Sequence, residues 1–235
     1  MTDHEEQTIT STCTTCGTEF QQTLYRFRGR TWPSGICAGC EQKRREAERE
    51  QEEFQLERQR QDEMLEERIP PLYRQTYRSK MDSKLLKVVD EFDLHRGEGL
   101  FISGDFGKQK TRACALLLER YCRADYSIRM IQSTDLAKHV AEQFSDEEQT
   151  REKAKNNLQS CRRAYALLID DLGKERATER FETELFSLIE FRTSTLRPTL
   201  YTSNLKLADL LQKFSPENGG GIVRRITEFS QRLNV

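Results

Sequence analysis

Gly99-Leu-Phe-Ile-Ser-Gly-Asp-Phe-Gly-Lys-Gln-Lys-Thr111 is the stretch on which the rest of the chain hangs. Gly99 to Ser103 is a short apolar run, Gly104 to Thr111 a polar loop, and Arg112 to Arg123 carries Ala113, Leu116, Leu117 and Tyr121 at helical spacing. Strand, glycine-containing loop and helix in that order form a phosphate-binding loop. Its chemistry needs backbone N–H groups facing the phosphates, a lysine for the β and γ oxygens, and a hydroxyl for Mg²⁺. Gly104, Gly107, Lys108, Lys110 and Thr111 supply these parts. Gln109 occupies the position where such loops carry a second glycine, and a side chain there demands a strained backbone.

A second run completes the pattern. Ala166-Leu-Leu-Ile-Asp170-Asp171-Leu-Gly173 reads as a buried strand ending in two carboxylates, the first of them 59 positions after Thr111. The expected roles are Asp170 in the magnesium shell and Asp171 beside it, orienting or deprotonating the attacking water. A third strand, Arg197 to Ser203, ends at Asn204. That amide either holds the lytic water or, with Ser203, caps the helix that begins near Lys206. Gly219-Gly-Gly-Ile-Val-Arg224-Arg225-Ile226 reads as a flexible turn and then a helix with paired arginines. Arg225 (or Arg224) is either solvated or reaches a neighbouring subunit's phosphates. Strands near 99–103, 127–132, 165–170, 198–203 and 231–235 alternate with helices, so the expected fold is α/β. The sheet is parallel, with helices on both faces and ligands at the C-terminal strand ends.

Outward from this core the chain changes character. Over its 235 residues, 35% are hydrophobic and 33% charged, with a net charge of −1. That balance is a cancellation. Residues 41–68 hold 11 acidic and 7 basic groups, a net of −4, while residues 69–235 hold 24 and 28, a net of +4. The acidic stretch has no Gly or Pro and too few apolar residues for a coiled-coil seam, so it reads as a solvated helix or a partly disordered spacer. Near neutrality excludes a polycation that grips nucleic acid by bulk charge. No run approaches the roughly 20 apolar residues of a membrane span.

Residues 1–40 carry Cys13-Thr-Thr-Cys16 and Cys37-Ala-Gly-Cys40, with 20 residues between them. Two CxxC turns present four thiolates to one tetrahedral Zn²⁺, the pattern of a zinc ribbon; two disulfides are the alternative. The polar, acidic Met1 to Thr8 does not read as a secretory signal. A reducing, cytoplasmic setting is therefore expected, which favours the metal. Phe20 to Ile36 is expected to form a short hairpin. Tyr25-Arg26-Phe27-Arg28-Gly29-Arg30 either forms a single-strand-binding face, or leaves its arginines solvated while Phe27 and Trp32 pack a mini-core. Cys114, Cys122 and Cys161 read as buried small hydrophobes. The expected division is a four-cysteine zinc-ribbon head (1–40), a charged linker (41–68) and an ATPase domain (69–235).

The sequence resembles the DnaC/IstB group of AAA+ ATPases, bacterial and phage helicase loaders together with transposase helpers. The resemblance covers residues 69–235, and its most specific pieces are Ile69-Pro-Pro-Leu-Tyr-Arg74 and Leu168-Ile-Asp-Asp-Leu-Gly173. It implies ATP and Mg²⁺ held by Lys110, Thr111 and Asp170, with Asp171 on the water, Asn204 as sensor 1, and Arg225 (or Arg224) acting in trans. It also implies a homo-oligomer formed on ATP and DNA, delivering a hexameric replicative helicase to single-stranded DNA, with no membrane partner. The transposase-helper role, or a non-hydrolysing scaffold, is the alternative. Gln109, and the lack of a lid domain or second sensor before Val235, imply slow or assembly-dependent hydrolysis.

Overall fold

The computed structural model describes residues 6–25, 33–93 and 95–235, which fall into two compact units, one through Gln59 and one from Arg60. The chain begins with strands β1 (Glu6–Thr12) and β2 (Glu19–Tyr25) and helix α1 (Ala38–Arg68). Helix α2 (Pro71–Arg74), a 3₁₀ turn (Arg78–Lys80) and α3 (Ser83–Glu91) lead into β3 (Gly99–Ser103) and α4 (Lys110–Arg123). Next come β4 (Ile128–Gln132), α5 (Ser133–Glu142), α6 (Glu148–Arg163), β5 (Ala166–Asp170) and α7 (Glu179–Ser194). The chain closes with β6 (Thr199–Ser203), α8 (Leu207–Lys213), α9 (Pro216–Phe229) and β7 (Ser230–Asn234).

In the first unit β1 and β2 pair antiparallel, Thr12 opposite Glu19, so the first CxxC lies in the hairpin turn. The turn closes through Gly17, whose φ of 74° is left-handed and whose N–H donates to Cys13 O at 2.9 Å. Among the described residues the partner of β2 is β1; the hairpin expected between Phe20 and Ile36 runs through residues 26–32, which lie outside the described residues. The second CxxC sits at the start of α1, and Thr14 N–H donates to Gly35 O at 2.8 Å, joining the two cysteine turns. Arg26, Phe27, Arg28, Gly29, Arg30 and Trp32, and with them both readings of that segment, lie outside the described residues.

The second unit is built on a five-stranded sheet, order β4-β5-β6-β3-β7, with every pair parallel. All residues of β3, β5 and β6 are buried, as continuous apolar strands covered on both faces must be. Alternation sends their side chains to opposite layers. Leu100, Ile102, Leu168 and Leu200 pack with α3, α4 and the end of α1, where Leu65 is buried. Phe101, Leu167, Ile169 and Tyr201 pack with α5, α7, α8 and α9. Cys114 and Cys122 belong to the first layer and Cys161 to the second.

The reading of the glycine run is corrected. Gly219, Gly220 and Gly221 lie inside α9, which starts at Pro216 with Ser215 as its cap. A Cβ on Gly219 would sit 2.8 Å from Phe214 Cβ, and one on Gly221 2.8 Å from the Phe186 ring. These glycines let α9 approach its neighbours closely; they are not a flexible turn.

Arg192, on α7, is fully buried with no carboxylate among its partners. Its Nη1 donates to Cys161 O (2.9 Å) and Ala164 O (2.7 Å), and its Nη2 to Tyr165 O (2.8 Å) and Pro198 O (2.7 Å). Its Nε donates to Thr199 Oγ1 at 2.9 Å. One guanidinium thereby joins the end of α6 to the first residues of β5 and β6. Burial draws its pKa down to about 10, which leaves it charged at neutral pH.

Replacing Arg192 by Met fills the volume but strands these buried carbonyls, so urea unfolding should show a loss on the order of 3–5 kcal/mol, with Arg192→Lys recovering only part. A loss below about 1 kcal/mol for the Met variant would show that the carbonyls find other donors.

Candidate nucleotide site

Strand β3 ends at Ser103 and the loop Gly104–Gln109 leads straight into α4. Gly104 has φ 149°, and a Cβ there would lie 2.0 Å from Val235 O, so only glycine fits. Gly107 is left-handed at φ 78°, with open space around it. Gln109 takes the same left-handed backbone, φ 59° and ψ 21°, that a glycine would supply. Ala113 N–H donates to Gln109 O, and no side chain caps α4. The N–H groups of Lys110, Thr111 and Arg112 are therefore the unpaired donors of a 14-residue helix, and the helix dipole adds to their pull on an anion.

Lys110 is 6% exposed, and its Nζ donates to Gly104 O (2.9 Å), Asp105 O (2.9 Å) and Asn204 Oδ1 (2.8 Å). Burial lowers its pKa, and Asp171, Asp170 and Asp105 oppose that shift. Thr111 Oγ1 donates to Asp170 Oδ1 at 2.7 Å, and Thr202 Oγ1 donates to the same oxygen at 2.6 Å. The Thr202 hydroxyl accepts in turn from Asp171 N–H at 2.9 Å. Asp171, left-handed at φ 56°, is held from its other side by Ser133 Oγ, which donates to its carbonyl at 2.7 Å. Its carboxylate lies 3.5 Å from Lys174 Nζ.

Strand order explains the convergence. Strand β6 lies between β3 and β5, so Asn204 arrives between the lysine loop and the two carboxylates. The five expected residues fall into two hydrogen-bonded groups, Lys110 with Asn204, and Thr111 with Asp170 and, through Thr202, Asp171; the chain itself joins the two at the Lys110–Thr111 peptide. Neither Ser203 nor Asn204 caps α8: Ser203 Oγ donates to Leu172 O, and the Lys206 N–H that opens α8 donates to Asp209. The paired arginines are engaged elsewhere. Arg225 makes a two-pronged contact with Glu190 at 2.6 and 2.9 Å, while Arg224 is largely exposed, 3.7 Å from Glu228. The sequence reading gives Thr202 and Ser133 no role of their own; for Thr202 the available signal is a hydroxyl near the C-terminal end of a buried strand, and Ser133 opens α5.

In the first unit the sulfurs of Cys13, Cys16, Cys37 and Cys40 all lie within 4.8 Å of one another. Cys37 N–H donates to Cys13 Sγ at 3.3 Å. That bond, with one from Cys16 N–H, holds the Cys13 thiol down at about 6. The Thr18 hydroxyl lowers Cys16, whereas the Cys16 and Cys37 sulfurs push Cys40 up to about 12. Four sulfurs this close cannot all ionise without a cation among them, and four soft donors in this arrangement fit one tetrahedral ion.

Asp170 is 2% exposed. Its pKa is raised, first by burial and then by Asp171, against the Thr202 and Thr111 hydrogen bonds and Lys110. A raised carboxyl pKa in the folded state is a stability penalty above that pKa, and the penalty disappears as pH falls through it. Without metal, Asp170→Asn should raise the melting temperature at pH 7 by about 2–4 °C, and its advantage over wild type should shrink on acidification. An equal or lower melting temperature at pH 7 would contradict this account.

Comparisons with known proteins bear on the fold and the family. A curated relative, the replicative helicase loader DnaI of Bacillus subtilis (strain 168), is 25% identical over 126 residues. The alignment spans 53% of this chain and 39% of that protein, so the chain covers well under half of that relative's length. The crystal structure of DnaI superposes with a TM-score of 0.59 at 19% identity, covering 71% of this chain and 94% of that one. The crystal structure of the DnaC helicase loader gives 0.50 at 25% identity, covering 65% and 86%. The fold is thus that of the P-loop AAA+ proteins. The IstB-like ATP binding protein family matches residues 38–235, most of the chain, and the protein belongs to that family.

Proposed function

We propose that this protein is an ATP-dependent loader that delivers a hexameric replicative helicase to single-stranded DNA. The observation that carries the reading is the meeting of Lys110, Thr111, Asp170, Asp171 and Asn204 at one edge of the sheet. In this reading the N–H groups opening α4 bind phosphate oxygens, and Lys110 leaves Asn204 for the β and γ oxygens of ATP. Thr111 and Asp170 would hold Mg²⁺, which neutralises charge developing on the phosphates. Asp171 takes the proton of the attacking water, its backbone fixed by Thr202 and Ser133, and Asn204, freed from Lys110, holds that water. Arg224 is the freer of the two arginines of α9 to reach a neighbouring copy, since Arg225 must first leave Glu190.

In the head, Cys13, Cys16, Cys37 and Cys40 would hold Zn²⁺, which supplies folding energy to a unit too small for much core. The head, residues 1–40, docks the helicase, residues 41–68 act as linker, and residues 69–235 assemble with other copies on ATP and DNA. The setting is cytoplasmic; among the described residues no helix is long and apolar enough to cross a membrane. The family's IstB-like designation favours a second reading, in which the same ATPase serves a transposase on DNA.

Full-length protein with ATP and Mg²⁺ should co-purify with a hexameric replicative helicase, and removal of residues 1–40 should abolish this. Lys110→Ala should weaken a fluorescent ATP analogue by more than about tenfold. Capture of a transposase in place of the helicase would establish the second reading, and equal, weak analogue binding by wild type and Lys110→Ala would remove the ATPase reading altogether.

Metal analysis of the purified protein should give one zinc per chain, falling sharply in Cys37→Ser. Unchanged zinc in that variant would rule out the four-cysteine site.

A further inference from the structure

We propose that Gln109 is a positioning residue that ties the phosphate loop to the segment running from Pro70 to Lys80, so that nucleotide binding at the loop resets that segment. This rests on the ATP-binding reading of the site and concerns what the bound nucleotide moves.

Gln109 holds a left-handed backbone that costs strain in any residue but glycine. A glycine would remove the strain, but it would also remove a contact. Gln109 Nε2 reaches across to Lys80 O, donating at 3.1 Å over a sequence distance of 29 residues. Its Oε1 is buried and has no hydrogen-bond partner among the described residues. An acceptor buried and unsatisfied is expensive, so the junction is held by one hydrogen bond and lacks another. A junction of that kind has little to lose by rearranging.

Nearby contacts give the tie its direction. Arg112, in the first turn of α4, donates to Leu72 O at 2.9 Å and lies 3.4 Å from Thr76 Oγ1. Thr76 in turn donates to Tyr73 O at 2.7 Å. The loop and the first turn of α4 therefore hold the segment at two places, through Leu72 and Thr76 and through Lys80. The Tyr73 phenol lies within the field of Asp170 and Asp171, which add to the effect of burial in raising its pKa. Gln109 is also the residue directly before Lys110, whose amine is occupied by Asn204, Gly104 and Asp105. Drawing that amine onto phosphate moves the 109–110 peptide, and the Gln109 side chain carries the movement to Lys80.

Amide hydrogen exchange on the full-length protein tests this, with and without a non-hydrolysable ATP analogue and Mg²⁺. In wild type the analogue should change exchange across residues 70–81 by about tenfold. Gln109→Gly suits the left-handed backbone, so it should bind the analogue within about threefold of wild type yet show no such change. Gln109→Glu keeps the length of the side chain but has no N–H for Lys80 O, and it should also lose the response. A nucleotide response in residues 70–81 that persists in both variants overturns the proposal, as does wild type that binds the analogue without responding. Wild type that does not bind the analogue at all refutes the ATP-binding reading itself.

Discussion

The Arg192 guanidinium fixes where the ends of two strands that carry the candidate site come to lie. Each of these strands is only five residues long, so whatever sets their relative position at one end sets it at the other. Arg192 acts at the start of both: it binds Ala164 and Tyr165 before β5, and Pro198 and Thr199 at the head of β6. The ladder then runs Leu167 to Thr199 and Ile169 to Tyr201, and the far tips place Thr202 against Asp170. Backbone carbonyls and one hydroxyl satisfy the charge, so it needs no buried carboxylate. A carboxylate would bring its own desolvation cost.

At the far tips the polar groups of the site satisfy one another. Lys110 is paired with Asn204, and the hydroxyls of Thr111 and Thr202 both donate to one oxygen of Asp170. What these bonds leave is the penalty of burial on the Asp170 carboxylate, whose pKa is raised, and the N–H groups that open α4. A divalent cation and a phosphate chain would replace these internal bonds one for one, offsetting the cost of burial with stronger, charge-assisted contacts. The arrangement thus pairs the site's side chains with one another and carries a local electrostatic penalty at Asp170. That is how a site stays ordered without its ligand while still favouring it.

Much of this was legible in the sequence because the strands are buried on both faces. Gly99–Ser103 and Ala166–Asp170 read as apolar runs with polar ends, and the residues at those ends are the ones the structure joins. Three kinds of feature were not legible. Arg192 shares its helix with the exposed Arg180, and periodicity alone does not reveal that one of the two guanidiniums has been drawn inside to meet carbonyls. Gly219 to Gly221 carry the composition of a turn, yet they sit in a helix, because Phe214 and Phe186 leave no room for side chains at Gly219 and Gly221. The hairpin of the head was sought after the first cysteine pair, where aromatics alternate with arginines. The pairing that the described residues show, Glu6–Thr12 with Glu19–Tyr25, flanks that pair, and Glu6–Thr12 gave little sign of it because Ile9 is its one apolar residue.

Gln109 joins these two kinds of information. In the sequence it is a departure from a motif and a reason to doubt that phosphate binds. Residue 109 nonetheless adopts the left-handed conformation, φ 59° and ψ 21°, that a glycine would supply at the turn into α4. The requirement belongs to the fold: the last loop residue must reverse the chain so that the following N–H groups face one point. Glycine meets that requirement without strain and without a side chain. Glutamine meets it with strain and gains a reach of several bonds, which here ends on Lys80 O. Gln109 therefore keeps the left-handed turn into α4, and what its side chain adds is a connection between that turn and the segment leading into it.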